Sequence, residues 1–196
     1  MKKLFACFAA AVICGAYQTA FAQVDAGLVA KFLNTAKAAS DSQLGTIGSE
    51  LAGKIQALGT TAIGDTVKNK LNGALMLLTG GKDSAALVSA FDLVKAAKLT
   101  PDQLGVAKQV GNLASAYVVQ KNFSKLEGAQ SDVATLVSSL REGKLTAAIA
   151  PVKNIAGNTH LTDGQKKLVK TVADKYAPGW QKAAGAVDAI KKLPGF

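Results

Sequence analysis

The chain has 196 residues, 23 Lys and Arg against 13 Asp and Glu, a formal net charge of +10, one histidine and two cysteines. Both cysteines, Cys7 and Cys14, fall in the N-terminal leader described next. The remainder therefore excludes disulfides, thiolate metal sites and cysteine nucleophiles. A single histidine excludes any metal site that needs a His pair.

Residues 1–22 read as a cleaved signal peptide. Met1-Lys2-Lys3 is a positive start, Leu4 to Ile13 is apolar, and Ala20-Phe21-Ala22 is a small-x-small cleavage site ahead of Gln23. The expected location is periplasmic or secreted. A membrane anchor is the rival reading, but Gly15, Tyr17, Gln18 and Thr19 make the second half of the leader too polar for a good span.

The mature chain, 23–196, reads as one all-α helical-repeat domain. It is expected to hold about nine helices in three units of roughly 60 residues, at approximately 23–81, 82–143 and 144–196. The clearest sign is an echo at an offset of 62: seven of the 23 positions from Gly81 to Gln103 are identical with Gly143 to Gln165. In unit one, Asp25 and Ser40 are expected helix caps, and Gly45, Gly48 and Gly53 fall inside the second helix. Such glycines mean close helix approach or local looseness. The third helix, striped by Val67, Leu71, Ala74, Leu75 and Leu78, stops at Thr79-Gly80-Gly81.

Unit two opens at Ser84 as cap, with Leu87, Phe91 and Val94 as its stripe. Thr100-Pro101-Asp102-Gln103 is a capping box that starts the second helix, with proline at the first helical position. Ala116-Tyr117-Val118-Val119 is the best strand candidate, but it continues a helical pattern. Ser124 is expected to cap the third helix, which carries Val133, Leu136, Val137 and Leu140. Unit three opens at Thr146, and Pro151 should kink or shorten its first helix. Thr162-Asp163-Gly164-Gln165 repeats the capping box ahead of Leu168, Val169, Val172 and Tyr176. Pro178 should limit that helix, and Leu193-Pro194-Gly195 should end the last one.

Chemistry is sparse. His160 stands next to a helix start without a partner motif, as a loop residue would. Thr79-Gly80-Gly81-Lys82-Asp83-Ser84 fails as a phosphate loop, because Met76 replaces the leading glycine and Asp83 the magnesium-binding hydroxyl. No catalytic residue, metal ligand or cofactor is expected.

Charge is the remaining signal. From Lys144 onward, nine lysines face three aspartates, whereas 23–143 holds 12 basic and 10 acidic residues. Lys166, Lys167, Lys170, Lys175 and Lys182 form a candidate anion-binding face, although lysines on a helix more often just solvate its outer side. The expected function is a non-catalytic interaction or scaffold module whose partner is an unknown protein or envelope component. One alternative is a lipid or small-molecule carrier with an apolar cavity between helices. Another is a binder of anionic lipid or cell-envelope polymer through unit three. Nucleic acid is the least favoured anion, since lysine cannot read base edges as arginine does.

Overall fold

The computed structural model describes residues 24–95 and 99–180, the last four by backbone alone. They form eight α-helices and no strand: α1 (Ala26–Ala38), α2 (Ser42–Gly59), α3 (Asp65–Thr79), α4 (Asp83–Phe91), α5 (Pro101–Phe123), α6 (Gln130–Arg141), α7 (Ile149–Ala156) and α8 (Asp163–Trp180). Single 3-10 turns follow α4 (Asp92–Lys95) and precede α7 (Leu145–Ala148). The fold is all-α. The signal peptide, Lys182 and the ninth helix all lie outside the described residues.

Helix α5 is the axis of the molecule. From Leu113 to Gln120 every residue is buried, so no face of that stretch meets water. The strand candidate 116–119 lies in the middle of this stretch. Helices α2, α4 and α6 pack on α5, and α1 packs on α2 and α3. Helix α3 leads into α4, and α7 bridges α6 and α8. The apolar stripes read from the sequence supply the core: Val67, Leu71, Ala74, Leu75 and Leu78 are buried in α3, and Leu168, Val169, Val172 and Tyr176 in α8.

The glycines of α2 divide. A Cβ on Gly48 would lie 2.5 Å from the Ala36 Cβ, so the α1–α2 crossing depends on its absence. A Cβ on Gly53 would meet nothing within 4 Å.

Helix starts separate into those set locally and those set by distant contacts. Asp25 caps α1, its Oδ1 accepting from the Gly27 and Leu28 amides at 2.8 and 3.2 Å. Thr100 forms a reciprocal box with Gln103, at 3.3 and 2.9 Å, and Thr162 does the same with Gln165, at 3.2 and 2.9 Å.

Four other expected caps are corrected. Asp41, not Ser40, caps α2. Its Oδ1 takes the Gln43 and Leu44 amides while Gln120 Nε2 holds Oδ2 at 2.6 Å, an arrangement a hydroxyl one residue earlier cannot offer. Ser84 lies inside the first turn of α4. Gly81, at φ 70°, closes α3 so tightly that the Lys82 amide already donates to the Leu77 carbonyl, and the next helix starts at Asp83. Thr146 sits in the 3-10 turn. Pro151 has no amide and its ring crowds the carbonyl four residues back, so α7 begins at Ile149 with the proline in its first turn. Ser124 closes α5 instead of opening α6, because buried Leu126 and Ala129 draw 124–129 across the core before Gln130. Pro178 does not end α8, which runs on to Trp180.

Candidate binding groove

Three consecutive residues at the C-terminal end of α5 hold three other helix starts. Gln120 Nε2 donates to Asp41 Oδ2, at the cap of α2. Lys121 Nζ lies 3.0 Å from Asp83 Oδ1 in the first turn of α4, and Asn122 Nδ2 donates to Asp83 Oδ2 at 2.9 Å. The Asn122 carbonyl accepts from Gln165 Nε2 at 2.7 Å, in the first turn of α8. Positive helix N-termini thus gather at the negative end of α5, a favourable dipole arrangement. Asp83 is only 7% exposed, and both its oxygens are bonded. Its charge also adds to the effect of burial on Tyr117, whose hydroxyl pKa is raised to about 12, burial being the larger cause.

Outside this network lies a groove of about 710 Å³ between the first turns of α4 and the first half of α8. Asp83 and Asn122 are among its lining residues, Ala85, Val88 and Leu168 give it apolar surface, and Ser84, Thr162, Thr171, Lys82 and Lys167 give it polar surface. Gly81 and Lys82 belong to the segment tested above as a phosphate loop. Here they are a helix stop and a link, as their glycine pattern implied. At the other end of α4, Phe91 stands edge-on to Tyr176, ring centroids 5.1 Å apart. Tyr176 is bonded to Asn112 Oδ1 at 3.0 Å and Ser115 Oγ at 3.2 Å, and burial raises its pKa.

The four described lysines of the expected anion face lie on the outward side of α8 and are spread across it. At 3.6 residues per turn, Lys166 and Lys175 fall at opposite edges of the outward arc of α8, with Lys167 and Lys170 between them. Asp163 and Asp174 share that arc, and Lys166 lies 3.6 Å from Asp163. Only Lys167 lines the groove. His160 is exposed in the α7–α8 loop, its amide donating to Asn158 Oδ1. Among the described residues no group of three His, Cys, Asp or Glu could hold a metal, and no helix is long and apolar enough to cross a membrane.

Sequence reasoning missed Asp83, Asn122 and Lys121 as a unit. The one available signal was Gln165, whose side-chain oxygen accepts in the box and whose Nε2 donors are left to place. The described residues define an all-α fold with an external groove of mixed polar and apolar lining. The chain matches no protein-family profile, no curated protein and no solved structure.

Proposed function

We propose that the protein is exported, non-catalytic and built from three helical units, and that it acts as an interaction or scaffold module through the groove between α4 and α8. One observation carries this reading. The void among Val119, Phe123, Leu136, Val152, Ile155, Val169 and Val172 measures about 10 Å³, at most room for a water molecule, while the groove outside offers about 710 Å³. An interior this tight favours a surface role over the carrier alternative. Native mass spectrometry of the purified protein tests it: the chain alone is expected, and a stoichiometric lipid or small molecule would favour the carrier.

Local structure that recurs at the unit boundaries supports the three-unit reading. Gly81 and Gly143 both adopt positive φ, 70° and 69°. Lys82 and Lys144 then make the same backbone bond, each at 2.9 Å, to a carbonyl five residues back. Both boxes also reach back to the C-terminal end of an earlier long helix, Gln103 Nε2 to Thr61 Oγ1 just past α2 and Gln165 Nε2 to the Asn122 carbonyl in α5. The third unit has diverged, for α2 packs extensively on α5 whereas α5 and α8 barely meet.

The excess of lysine in unit three favours a second reading, adhesion to anionic lipid or envelope polymer. Changing Lys166, Lys167, Lys170 and Lys175 together to Gln should abolish sedimentation with anionic liposomes. No sedimentation of the unaltered protein at low salt would eliminate this reading.

A further inference from the structure

We infer that the groove between α4 and α8 takes an acidic peptide segment with an aliphatic side chain beside its carboxylates, an inference that rests on the groove's proposed role as a contact surface. The two helices run side by side in the same direction. Asn122 ties their first turns together through Asp83 and Gln165, and Phe91 meets Tyr176 further along. The groove therefore has two unlike halves. Lys82 and Lys167 line its starting half, and Val88 and Thr171 line it a turn or more further on. Val88 is 39% exposed, one of two large apolar side chains left open to water among the described residues.

Charge sets the chemistry of the occupant. Neither Lys82 nor Lys167 pairs with an acid among the described residues. Asp83 is the one acid among the described lining residues, and its two oxygens are already taken by Lys121 and Asn122. Asp163 lies outside the lining, beside Lys166. Two cations thus stand without a counter-charge in a concave setting, where a ligand carboxylate gains more than on an open surface. On α8 the lining runs from Gly164 to Thr171, about 10 Å at 1.5 Å per residue, the length of roughly three extended residues. Ser84 and Thr171 offer hydroxyls to the backbone of such a segment. Other anions fit less well. Among the described residues no aromatic ring lines the groove for a nucleic-acid base to stack on. A lipid acyl chain finds no channel here, since the void on the core side of α8, among Val119, Val169 and Val172, is about 10 Å³.

The test is selection of random eight-residue peptides, displayed on phage, against the purified protein, followed by fluorescence anisotropy of the enriched peptides. Enriched sequences should carry two or more Asp or Glu beside Leu, Ile or Val. Changing Lys82 and Lys167 together to Gln should weaken their binding roughly tenfold. Changing Lys37 and Lys170 together to Gln removes the same charge outside the groove and should change binding by less than about twofold. Thr171→Trp, which fills the groove, should abolish binding, with Ser84→Trp as the second filler and circular dichroism confirming that each variant is folded. Enriched peptides without acidic residues that a filler still displaces would overturn the inference and leave the groove reading standing. No enrichment, or peptides that neither filler affects, would overturn both. Equal weakening in the two double variants, or displacement of the acidic peptide by phosphatidylglycerol vesicles, would also overturn the inference.

Discussion

Lys121 Nζ lies 3.0 Å from Asp83 Oδ1, and this pair, with Asn122 on the other carboxylate oxygen, fixes the start of α4 to the end of α5. Asp83 is almost wholly buried while the Lys121 side chain is 31% exposed, so removing the acid leaves a cation that water can still reach. Asp83→Ala is expected to cost about 2–3 kcal/mol, below the full figure for a buried pair. Asp83→Asn, which keeps an acceptor, should cost less. Urea unfolding midpoints of the two variants check both the size and the order.

Asn122-Phe123-Ser124 has the form of an N-glycosylation sequon, and the same contact decides its fate. The Asn122 amide donates to Asp83 Oδ2 and to the Val118 carbonyl, so a glycan on Nδ2 cannot coexist with the native network. Protein secreted from a eukaryotic host should be folded and unglycosylated at Asn122, with any glycosylated fraction misfolded. Peptide mapping of the folded and aggregated fractions would show this.

Gly48 and Gly53 predict opposite signs in one helix. Gly48→Ala drives a methyl to 2.5 Å from Ala36 and should destabilise by about 1–3 kcal/mol. Gly53→Ala adds a methyl to open space and should stabilise by up to about 1 kcal/mol. Thermal melts of the two variants read the contrast directly.

Alkaline pH probes the core around Tyr117. Its pKa is raised from 10.0 to about 12, so above pH 10 the unfolded chain loses this proton and the folded chain does not. Stability present below pH 10 is therefore lost as pH rises toward 12, by about 2–3 kcal/mol from this group. Burial of Tyr176 acts in the same direction. In a chain of residues 23–196, whose tyrosines are Tyr117 and Tyr176, tyrosinate absorbance should appear only together with loss of helical circular dichroism. Tyr117→Phe should flatten the alkaline limb of stability against pH.

How far the sequence spoke depended on the range of the forces involved. The boxes at Thr100 and Thr162 were legible because every partner lies within three residues. So was the α6 stripe Val133, Leu136, Val137 and Leu140, since helical spacing alone puts it on one face. Asp41 took the place of Ser40 where Gln120, 79 positions away, holds its second oxygen, which no local pattern encodes, whereas Ser84 was carried into the first turn of α4 by the tight Gly81 stop. The spread of the α8 lysines has a simpler origin. Their spacing sets them across the whole outward arc of the helix, which Asp163 and Asp174 share. The groove was not legible at all, because it exists only where α4 and α8 lie side by side.

The central claim is that this groove contacts a macromolecular partner, and site-specific photo-crosslinking in the cell that makes the protein tests it most directly. A photoreactive residue replacing Thr171 or Val88, both lining the groove, should give one discrete higher-mass adduct. The same residue at exposed Lys37 of α1 should give none. The absence of an adduct from either groove position, or equal labelling from Lys37, would contradict the account.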